Sequence, residues 1–585
     1  MKCPHGRSRT SRANHPCALL AALLLGLCSP IVSAQELPPP EATPLPPATA
    51  EVAAPEGTEP APAPPAPETA SAPDYSAFEG DTVREIRIVN KSLFDPDKPG
   101  ENKRLFRIAN RLHRTTRPNV IQQQILLQPG EPFSAEALKE SERILRSNSY
   151  LYEAEIQPVQ AGEGQVDLVV ETRDVWTLRG GVSYSRLGGE DLYGFNLEDT
   201  NFLGTGKEVT LLRVSGIDRT SDVLRFRDPN VAGSRTRLEL SYADNSDGGR
   251  KRIELERPFY SLDTRWATGM RVMFDERVEP LYDEGFKFQE FTHEQEFAEI
   301  YLGFSPGRSK NGAHRWRVGY TYDHQTFGPF GGLDSDSLIP ENRELSFVWV
   351  GYEFIEDGFV TERGLDRLQT TEDLNLGTQF HWRLGYSSPT LGADEARMVL
   401  DSAWTTGWRP SPRQLLLVAA RGATRRAHEI ENLQVGGTLD YYARNFRQNV
   451  FYVGLHGDLI DNPDLENQLL IGGDTGLRGY PIRLQSGDRR WLATVEQRFF
   501  SDKEFFHLLH FGAAVFFDVG RAWYNNPPPG LKVEEDTLRD VGLGLRIGSS
   551  RSSKAAMIHL DVAFPLDGPE NIKSVQWLVS SSETF

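Results

Sequence analysis

The sequence predicts a mainly β protein, in which a transmembrane antiparallel β-barrel of sixteen strands follows one small β-α-α-β-β periplasmic domain. Segments of alternating apolar and polar residues recur from Trp176 to the C-terminus, separated by clusters of Gly, Asp, Asn and Pro. All ten Trp residues lie between Trp176 and Trp577, which is typical of aromatic girdles at membrane interfaces. The mean hydropathy is −0.46, and no apolar run of about 18 residues follows position 34. These values exclude a bundle of transmembrane helices but not a barrel, because only every second side chain of a barrel strand meets lipid.

The number of strands depends on how the hairpins are divided. Five segments after position 485 alternate clearly, and eleven to fourteen lie between positions 176 and 460. The division is ambiguous near 221–257 and 372–460, so the total is sixteen to nineteen, of which we predict sixteen. A soluble β-sandwich or propeller would show the same alternation, but no repeat of about 40 to 50 residues marks propeller blades.

Residues 1–34 have the pattern of a secretory signal peptide. Four basic residues and no acid precede the apolar stretch 17–28, and a Val-Ser-Ala site for cleavage ends at Ala34. Removal of this segment takes away all three Cys residues, so we expect no disulfide in the mature protein. It leaves 60 basic and 82 acidic residues, a net charge of −22, which disfavours binding of nucleic acid through its phosphates.

The next segment, 35–79, is predicted to be a Pro/Ala-rich disordered tether. Thirteen prolines lie between Gln35 and Tyr75, mixed with Ala, Glu and Thr. Because proline fixes φ and lacks an amide donor, this composition cannot build a packed core and favours an extended, semi-rigid spacer.

A small domain is predicted over 80–176, beginning with the alternating strand 83–89. Apolar residues at helical spacing follow, at Leu105, Ile108, Ala109 and Leu112, at Ile121, Ile125 and Leu126, and at Leu138, Ile144 and Leu145. Ser134 is placed to cap the last of these stretches. Two short strands near 152–159 and 166–172 complete the β-α-α-β-β unit, and the barrel takes up 177–585.

One barrel segment is unusual because an Arg lies among glycines in a long loop between two strands. It runs Gly472-Gly473-Asp474-Thr475-Gly476-Leu477-Arg478-Gly479-Tyr480-Pro481. Small residues let the backbone approach a wall closely, and a guanidinium inside a barrel needs several acceptors. Two later strands supply an acid and further glycines, Phe516-Phe517-Asp518-Val519-Gly520 and Gly542-Leu543-Gly544-Leu545-Arg546.

These three segments, in this order, resemble the signature of the outer-membrane protein 85 superfamily, the BamA/TamA-type surface antigen barrels and the two-partner secretion transporters. The resemblance implies that the loop folds back into the barrel lumen and that Arg478 pairs with an acid on the inner wall. The implied loop motif is Leu477, Arg478, Gly479 and Tyr480, and the implied wall partners are Asp518, Phe516 packing alongside, and Glu496 as a second acceptor.

The domain at 80–176 resembles the polypeptide-transport-associated (POTRA) domain that precedes these barrels. Residues 201–206 resemble the second-hairpin segment of BamA-like proteins. The chain departs from the family in having one such domain, fewer than BamA, TamA or the secretion transporters, and in its proline-rich tether.

Enzyme motifs are incomplete in this sequence. His293-Glu294 and His428-Glu429 begin like zinc sites but lack the second His, and Gly206-Lys207 lacks the remainder of a phosphate loop. No Gly-x-Ser-x-Gly elbow is present. We therefore predict neither enzymatic activity nor a cofactor; a catalytic cluster at the barrel rim stays open as an alternative.

The physics of strand edges indicates how such a barrel works. Because unpaired backbone groups are costly in lipid, the seam between the first and last strands is the part that opens most easily. Gly180 and Gly181 in the first strand and the serine-rich end before Phe585 in the last strand weaken both flanks. We predict an assembly or translocation factor that captures polypeptides with its periplasmic domain and adds their strands at the seam.

Two other functions stay open, a two-partner-type secretion transporter for a dedicated substrate and a passive outer-membrane channel. The expected partners are unfolded or secreted polypeptides, outer-membrane lipid and accessory periplasmic proteins, without nucleic acid. The expected location is the outer membrane of a Gram-negative cell, with the N-terminal domain in the periplasm.

Overall fold

The computed structural model describes residues 75–94, 103–331, 338–363, 371–445, 449–505, 509–531, 536–549, 557–569 and 571–581. The predicted signal peptide, nearly all of the tether and Phe585 lie outside the described residues.

A three-stranded sheet and three helices form the N-terminal domain, after a single 3-10 turn at Ser76–Phe78. The elements are β1 Thr82–Lys91, α1 Arg104–Leu112, α2 Pro118–Gln122, α3 Ala135–Arg146, β2 Leu151–Gly162 and β3 Gln165–Asp174. The sheet order is β1-β3-β2, parallel between β1 and β3 and antiparallel between β3 and β2. Ser134 caps α3 by accepting a hydrogen bond from the Ala137 N–H at 3.4 Å. The helices and sheet enclose a core that includes the fully buried Ile121, Leu138, Ile156 and Leu168.

This domain has one helix more than the predicted β-α-α-β-β order, because each of the three apolar stretches at helical spacing contains a helix. The extra helix, α2, starts at Pro118, where proline suits the first helical turn, and ends after five residues. On α1, Ile108 and Leu112 are 42% and 69% exposed. The inward face is set by Phe106, which stacks on Phe94 with 4.3 Å between ring centroids.

In the part of the chain that the structure describes, twenty antiparallel strands form a closed barrel. Each wall strand pairs with the next one along the chain, and the last pairs with the first. The first ten are β4 Leu178–Leu187, β5 Glu190–Asp199, β6 Glu208–Ser215, β7 Thr220–Asp228, β8 Arg237–Asn245, β9 Gly248–Arg257, β10 Trp266–Asp283, β11 Phe286–Phe304, β13 Gly312–Pro329 and β14 Arg343–Ile355. The other ten are β17 Gln379–Ser387, β18 Arg397–Ser411, β19 Gln414–Arg426, β20 Ile430–Asn445, β21 Asn449–Asp461, β24 Arg489–Phe505, β25 Leu509–Trp523, β26 Leu538–Ser549, β27 Met557–Pro565 and β28 Gln576–Ser581. Short pieces lie beside the wall, namely β12 Arg308–Ser309, the hairpin of β15 Phe359–Arg363 and β16 Thr371–Asn375, and the hairpin of β22 Leu469–Ile471 and β23 Gln485–Gly487.

The predicted number of sixteen strands is wrong. Five wall strands follow position 485, as expected, but fifteen precede it instead of eleven to fourteen. Both ambiguous stretches contain short connections, since β8 joins β9 and β18 joins β19 through two residues each. Such connections leave little separation between neighbouring strands along the sequence.

The wall has polar side chains inside and apolar side chains outside. Acids that are buried inside the barrel include Glu198, Glu254, Asp275, Glu299, Asp323, Asp401, Glu496, Asp518, Asp540 and Asp561. Apolar residues exposed on the outside occur around the whole wall, among them Phe195, Leu211, Leu240, Ile253, Leu302, Val318, Val348, Leu384, Val435, Leu455, Val495, Val515, Val541, Leu560 and Trp577. This polarity is the reverse of a soluble protein's and matches a barrel surrounded by lipid. No described helix is long and apolar enough to cross a membrane.

The N-terminal domain docks on one end of the barrel, which we call the domain end; the other is the far end. The Arg117 N–H donates to the Gly204 carbonyl at 3.0 Å, in the turn between β5 and β6. On α3, Arg146 donates to both carboxylate oxygens of Asp373 at 2.9 Å each. The first contact is with the connection between β5 and β6, and the second is with the connection between β14 and β17, on the opposite side of the barrel. Together they hold the domain across this end.

Glu140 on α3 forms the most buried of these contacts, with 2% of its surface exposed. Its carboxylate accepts hydrogen bonds from the Leu262 N–H at 2.8 Å and from Arg308 Nη2 at 2.7 Å, both on barrel turns. Arg143 of the same helix donates to it at 3.0 Å. One carboxylate therefore joins the domain to two turns.

We expect Glu140→Ala to loosen the docked domain, because two arginines and a backbone amide lose a buried acceptor. Truncating one member of a buried interfacial charge pair costs about 2–5 kcal/mol. Protease sensitivity of the linker at 175–177 measures the release. Glu136→Ala, an exposed acid on the same helix, is the matched control, and equal cleavage of both variants would contradict the role of Glu140.

Candidate functional site

The connection between β21 and β24, residues 462–488, folds into the barrel at the far end, and we call it the lumen loop. Its tip is a tight turn in which the Leu477 N–H donates to the Gly472 carbonyl at 2.9 Å and the Gly473 N–H donates to the Pro481 carbonyl at 2.9 Å. Gly476 has φ 111°, a conformation that favours glycine. Leu477 is fully buried in an apolar cluster with wall residues of β24, β25 and β26. The tip is thus packed against the inner wall.

Arg478, at this tip, makes a bidentate ion pair with Asp518 on β25. Arg478 Nε lies 2.6 Å from Asp518 Oδ2, and Nη2 lies 2.9 Å from Oδ1. Thr494 on β24 donates to the same carboxylate at 2.8 Å. Arg478 is 1% exposed and Asp518 is fully buried. A charged pair removed from water in this way is geometrically specific, and losing either partner leaves an uncompensated charge.

The ring of Phe516 stacks against the guanidinium of Arg478. Arg478 Cζ lies 3.5 Å from the ring centroid, a cation–π contact. The ring occupies the space above Gly542, where a β-carbon would lie 2.2 Å from Phe516 Cζ. Gly479 is tight in the same way, since its β-carbon would lie 2.7 Å from Cβ of Asp540. The glycines therefore provide the space in which the Arg, the ring and the wall meet.

Two more acids lie beside the pair. Glu496, expected as a second acceptor, has Oε2 4.0 Å from Arg478 Nη2, and its closer partner is Arg498 on the same strand. Asp540, which the sequence did not single out, lies on β26 directly opposite Asp518. Both acids are buried, so the carboxyl groups near Arg478 outnumber those of the predicted pair.

Tyr480 extends the docked tip towards the last hairpin of the barrel. Its hydroxyl donates to Asp567 Oδ1 at 2.6 Å and accepts from the Arg539 N–H at 3.0 Å. Burial and the neighbouring Asp567 raise the pKa of Tyr480, which keeps the phenol protonated as a donor. Asp567 lies in the turn between β27 and β28, so Tyr480 binds the loop to the strand that closes the wall.

The other side of the tip contacts the first hairpin. A β-carbon on Gly188, in the turn between β4 and β5, would lie 2.3 Å from the backbone nitrogen of Ile482. On Gly473 it would lie 2.5 Å from Cα of Gly188. The lumen loop therefore touches both hairpins that flank the seam.

The seam itself has the shortest described ladder of the wall. Strands β28 and β4 share one described pair, Val579 with Arg186, whereas all other neighbouring wall strands share at least six. Gly180 and Gly181 lie in β4 opposite Leu197 and Asn196 of β5. On the lumen side Leu187 of β4 packs against a cluster that includes Phe516 and Leu578 of β28. The ring that supports Arg478 thus also belongs to the packing across the seam.

Further anchors of the lumen loop carry no recognisable sequence signal. Asp464 accepts from Arg425 of β19 at 2.6 and 3.0 Å. Arg483 binds Asp218, in the turn between β6 and β7, at 2.8 Å and stacks over Tyr282. These partners are far apart in the chain and lie outside any motif, so only the fold brings them together.

The fold and this site define a closed, twenty-stranded antiparallel barrel with an apolar exterior and an inwardly folded arginine loop. No family model and no curated protein matches the chain. Among solved structures it is similar to BamA from Haemophilus ducreyi lacking POTRA domains 1–3, at 14% identity and a TM-score of 0.39, covering 86% of this chain and 84% of that one. It is similar to CdiB from Acinetobacter baumannii at 11% identity and 0.42, covering 86% and 73%, and to the FrpB iron transporter from Neisseria meningitidis at 10% identity and 0.38, covering 74% and 86%. All three likenesses are distant, so the function of this chain has to be inferred from its own residues.

Proposed function

We propose that this protein is an outer-membrane factor that inserts or exports polypeptides, with the seam between β28 and β4 as the place where client strands pair. It belongs, on this proposal, with the outer-membrane protein 85 superfamily. The observation that carries the proposal is the short seam ladder under a docked arginine loop. The function needs strand pairing and no chemical catalysis.

The seam supports strand addition on energetic grounds. An antiparallel ladder holds two strands through inter-strand backbone hydrogen bonds and cross-strand side-chain pairs. Among the described residues the seam has one pair, while the neighbouring ladder of β4 with β5 has ten. On this proposal the seam is therefore the join that separates most easily. Opening there exposes an edge to which an extended polypeptide can add by backbone hydrogen bonds.

The lumen loop supports control of that opening. It binds Asp518 on β25, Asp567 beside the last strand and the Gly188 turn beside the first strand. On this proposal a docked loop holds both flanks in place, and release of Arg478 allows them to separate. Phe516 links the lumen loop to the seam, because its ring contacts Arg478 and also belongs to the cluster that packs across the seam.

The N-terminal domain supports a route from the periplasm. It lies at the domain end, opposite the loop, and presents β1 and β2 as the edges of its sheet. An incoming chain can add to such an edge before it reaches the barrel. On this proposal the far end lies outside the cell and the domain end in the periplasm.

A staple across the seam tests the proposal. We expect a Cys pair at Arg186 and Val579, joined by a short bis-maleimide in reconstituted vesicles, to stop client assembly, because the strands can no longer separate. The matched control joins Leu545 and Leu560, which pair on β26 and β27 and are similarly exposed. Full client assembly by the seam-stapled protein would overturn the proposal.

Export of a dedicated substrate through the lumen is the second candidate. It is favoured by the twenty strands, because barrel diameter grows with strand number, and by the charged inner wall. It predicts that deletion of 472–482, the loop tip, raises single-channel conductance several-fold. Unchanged conductance in planar bilayers would count against it.

A further inference from the structure

Helix α1 carries basic and apolar residues on one exposed face. Ile108 and Leu112 are 42% and 69% exposed, and Arg104, Arg107 and Arg111 are exposed beside them. The spacing of three and four residues places all five on the same side of the helix.

Contacts on the opposite side of α1 hold these residues in the exposed position. On the opposite side Phe106 stacks on Phe94, and the Asn110 side chain both accepts from the Phe94 N–H at 3.1 Å and donates to the Phe94 carbonyl at 2.7 Å. These contacts set the rotation of α1, so Ile108 and Leu112 point away from the domain.

The segment around α1 is positively charged, although the protein as a whole is acidic. Residues 103–117 contain six basic residues and no acid, whereas the whole chain has a formal net charge of −18. The six are all exposed, namely Lys103, Arg104, Arg107, Arg111, Arg114 and Arg117. A helix that combines this charge with exposed Ile and Leu suits an anionic lipid surface.

The helix also lies close in the chain to a contact with the end of the barrel wall. It is followed within a few residues by Thr116, which accepts from the Asn201 side chain at 2.7 Å, in the turn between β5 and β6. The same turn exposes Phe202 and Leu203 by 44% and 55%. Aromatic side chains at the end of a barrel wall are typical of the zone of the lipid headgroups.

We propose that α1 is an interfacial anchor that binds anionic phospholipid headgroups beside the barrel. The inference rests on the proposed insertion of the barrel in a membrane, but not on client handling. Ile108 and Leu112 enter the headgroup zone, and the arginines bind lipid phosphates. An acidic segment of a client polypeptide is the rival occupant; the exposed Phe202 and Leu203 in the adjoining turn favour lipid.

Site-specific fluorescence in vesicles tests the anchor. The three Cys residues all precede position 29, so the mature chain accepts a single labelled Cys at Ile108. The matched control carries the label at Val159, an apolar residue of β2 that is 47% exposed. Each protein is inserted in phosphatidylcholine vesicles with or without phosphatidylglycerol, with a quencher on the lipid headgroups. Samples are compared only where heat-dependent gel mobility shows a folded, inserted barrel.

We expect strong quenching at 108 when phosphatidylglycerol is present, little at 159, and reversal by high salt. Arg104→Gln and Arg111→Gln should each weaken the association about fivefold. Equal quenching at 108 and 159, or quenching that ignores phosphatidylglycerol, would overturn the anchor. Shielding of the label by poly-glutamate with no response to phosphatidylglycerol would do the same and assign α1 to polypeptide binding.

Discussion

An Arg478→Ala variant will keep its barrel but lose the docked lumen loop. The substitution leaves Asp518, which is fully buried, without its cation and beside Glu496 and Asp540. Removing one partner of a buried pair costs about 3–5 kcal/mol. We expect new protease cleavage within 472–482 and a lower guanidinium midpoint, with the heat-dependent mobility of the barrel retained.

Three further variants show which interaction of Arg478 is responsible for that loss. Arg478→Lys keeps the charge but not the bidentate geometry or the flat stack on Phe516, so we expect an intermediate effect. Adding Asp518→Ala to Arg478→Ala should restore part of the stability, because the uncompensated acid is gone. Arg213→Ala removes an exposed Arg–Asp pair on the wall and should cost at most about 1 kcal/mol. A fully protected loop in Arg478→Ala would contradict its role as the anchor.

The second large effect is expected at Gly542→Ala. The new β-carbon would lie 2.2 Å from Phe516 Cζ and 2.6 Å from the Val562 carbonyl oxygen. The ring must move, and both Arg478 and the packing across the seam lose their contact with it. Overpacking of this kind costs about 1–3 kcal/mol, and we expect loop cleavage together with easier crosslinking of clients at the seam.

A matched glycine and a compensating change test this mechanism. Gly457→Ala adds the same methyl group where the nearest atom is 4.0 Å away, so it should leave stability and cleavage unchanged. Phe516→Leu combined with Gly542→Ala should recover loop docking in part, because the smaller side chain leaves space. If Gly542→Ala behaves like Gly457→Ala, the ring is not held as described.

The sequence predicted the polarity of the wall better than its size. Alternation shows directly which side chains meet lipid, because it is a local property of each strand. The number of strands depends on how many hairpins each stretch is divided into, and the two residues between β8 and β9 leave little separation between those strands. The spacing of Ile108 and Leu112 predicted a helix but not the direction of its faces, because the stack of Phe106 on Phe94 turns both side chains outward.

Part of the candidate site could likewise be predicted from the sequence, and part could not. Arg478, Phe516 and Asp518 were found because each lies in a short, recognisable segment. Asp540 and Gly188 carry no such signal, since their importance comes from a neighbouring strand and a turn that only the closed barrel brings together. Glu496 was expected as a second acceptor from the family resemblance, and its closer partner proves to be Arg498.

The most direct test of strand addition at the seam is photo-crosslinking of a stalled client. A crosslinker is placed at Tyr184 on β4, beside the seam, and separately at Leu545 on β26 and at Arg546, which faces the lumen. We predict client adducts at position 184 and none at 545 or 546. Adducts at 546 alone would contradict strand addition and place the client in the lumen, and no adduct at 184 with an actively assembling protein would exclude the seam as the client's site.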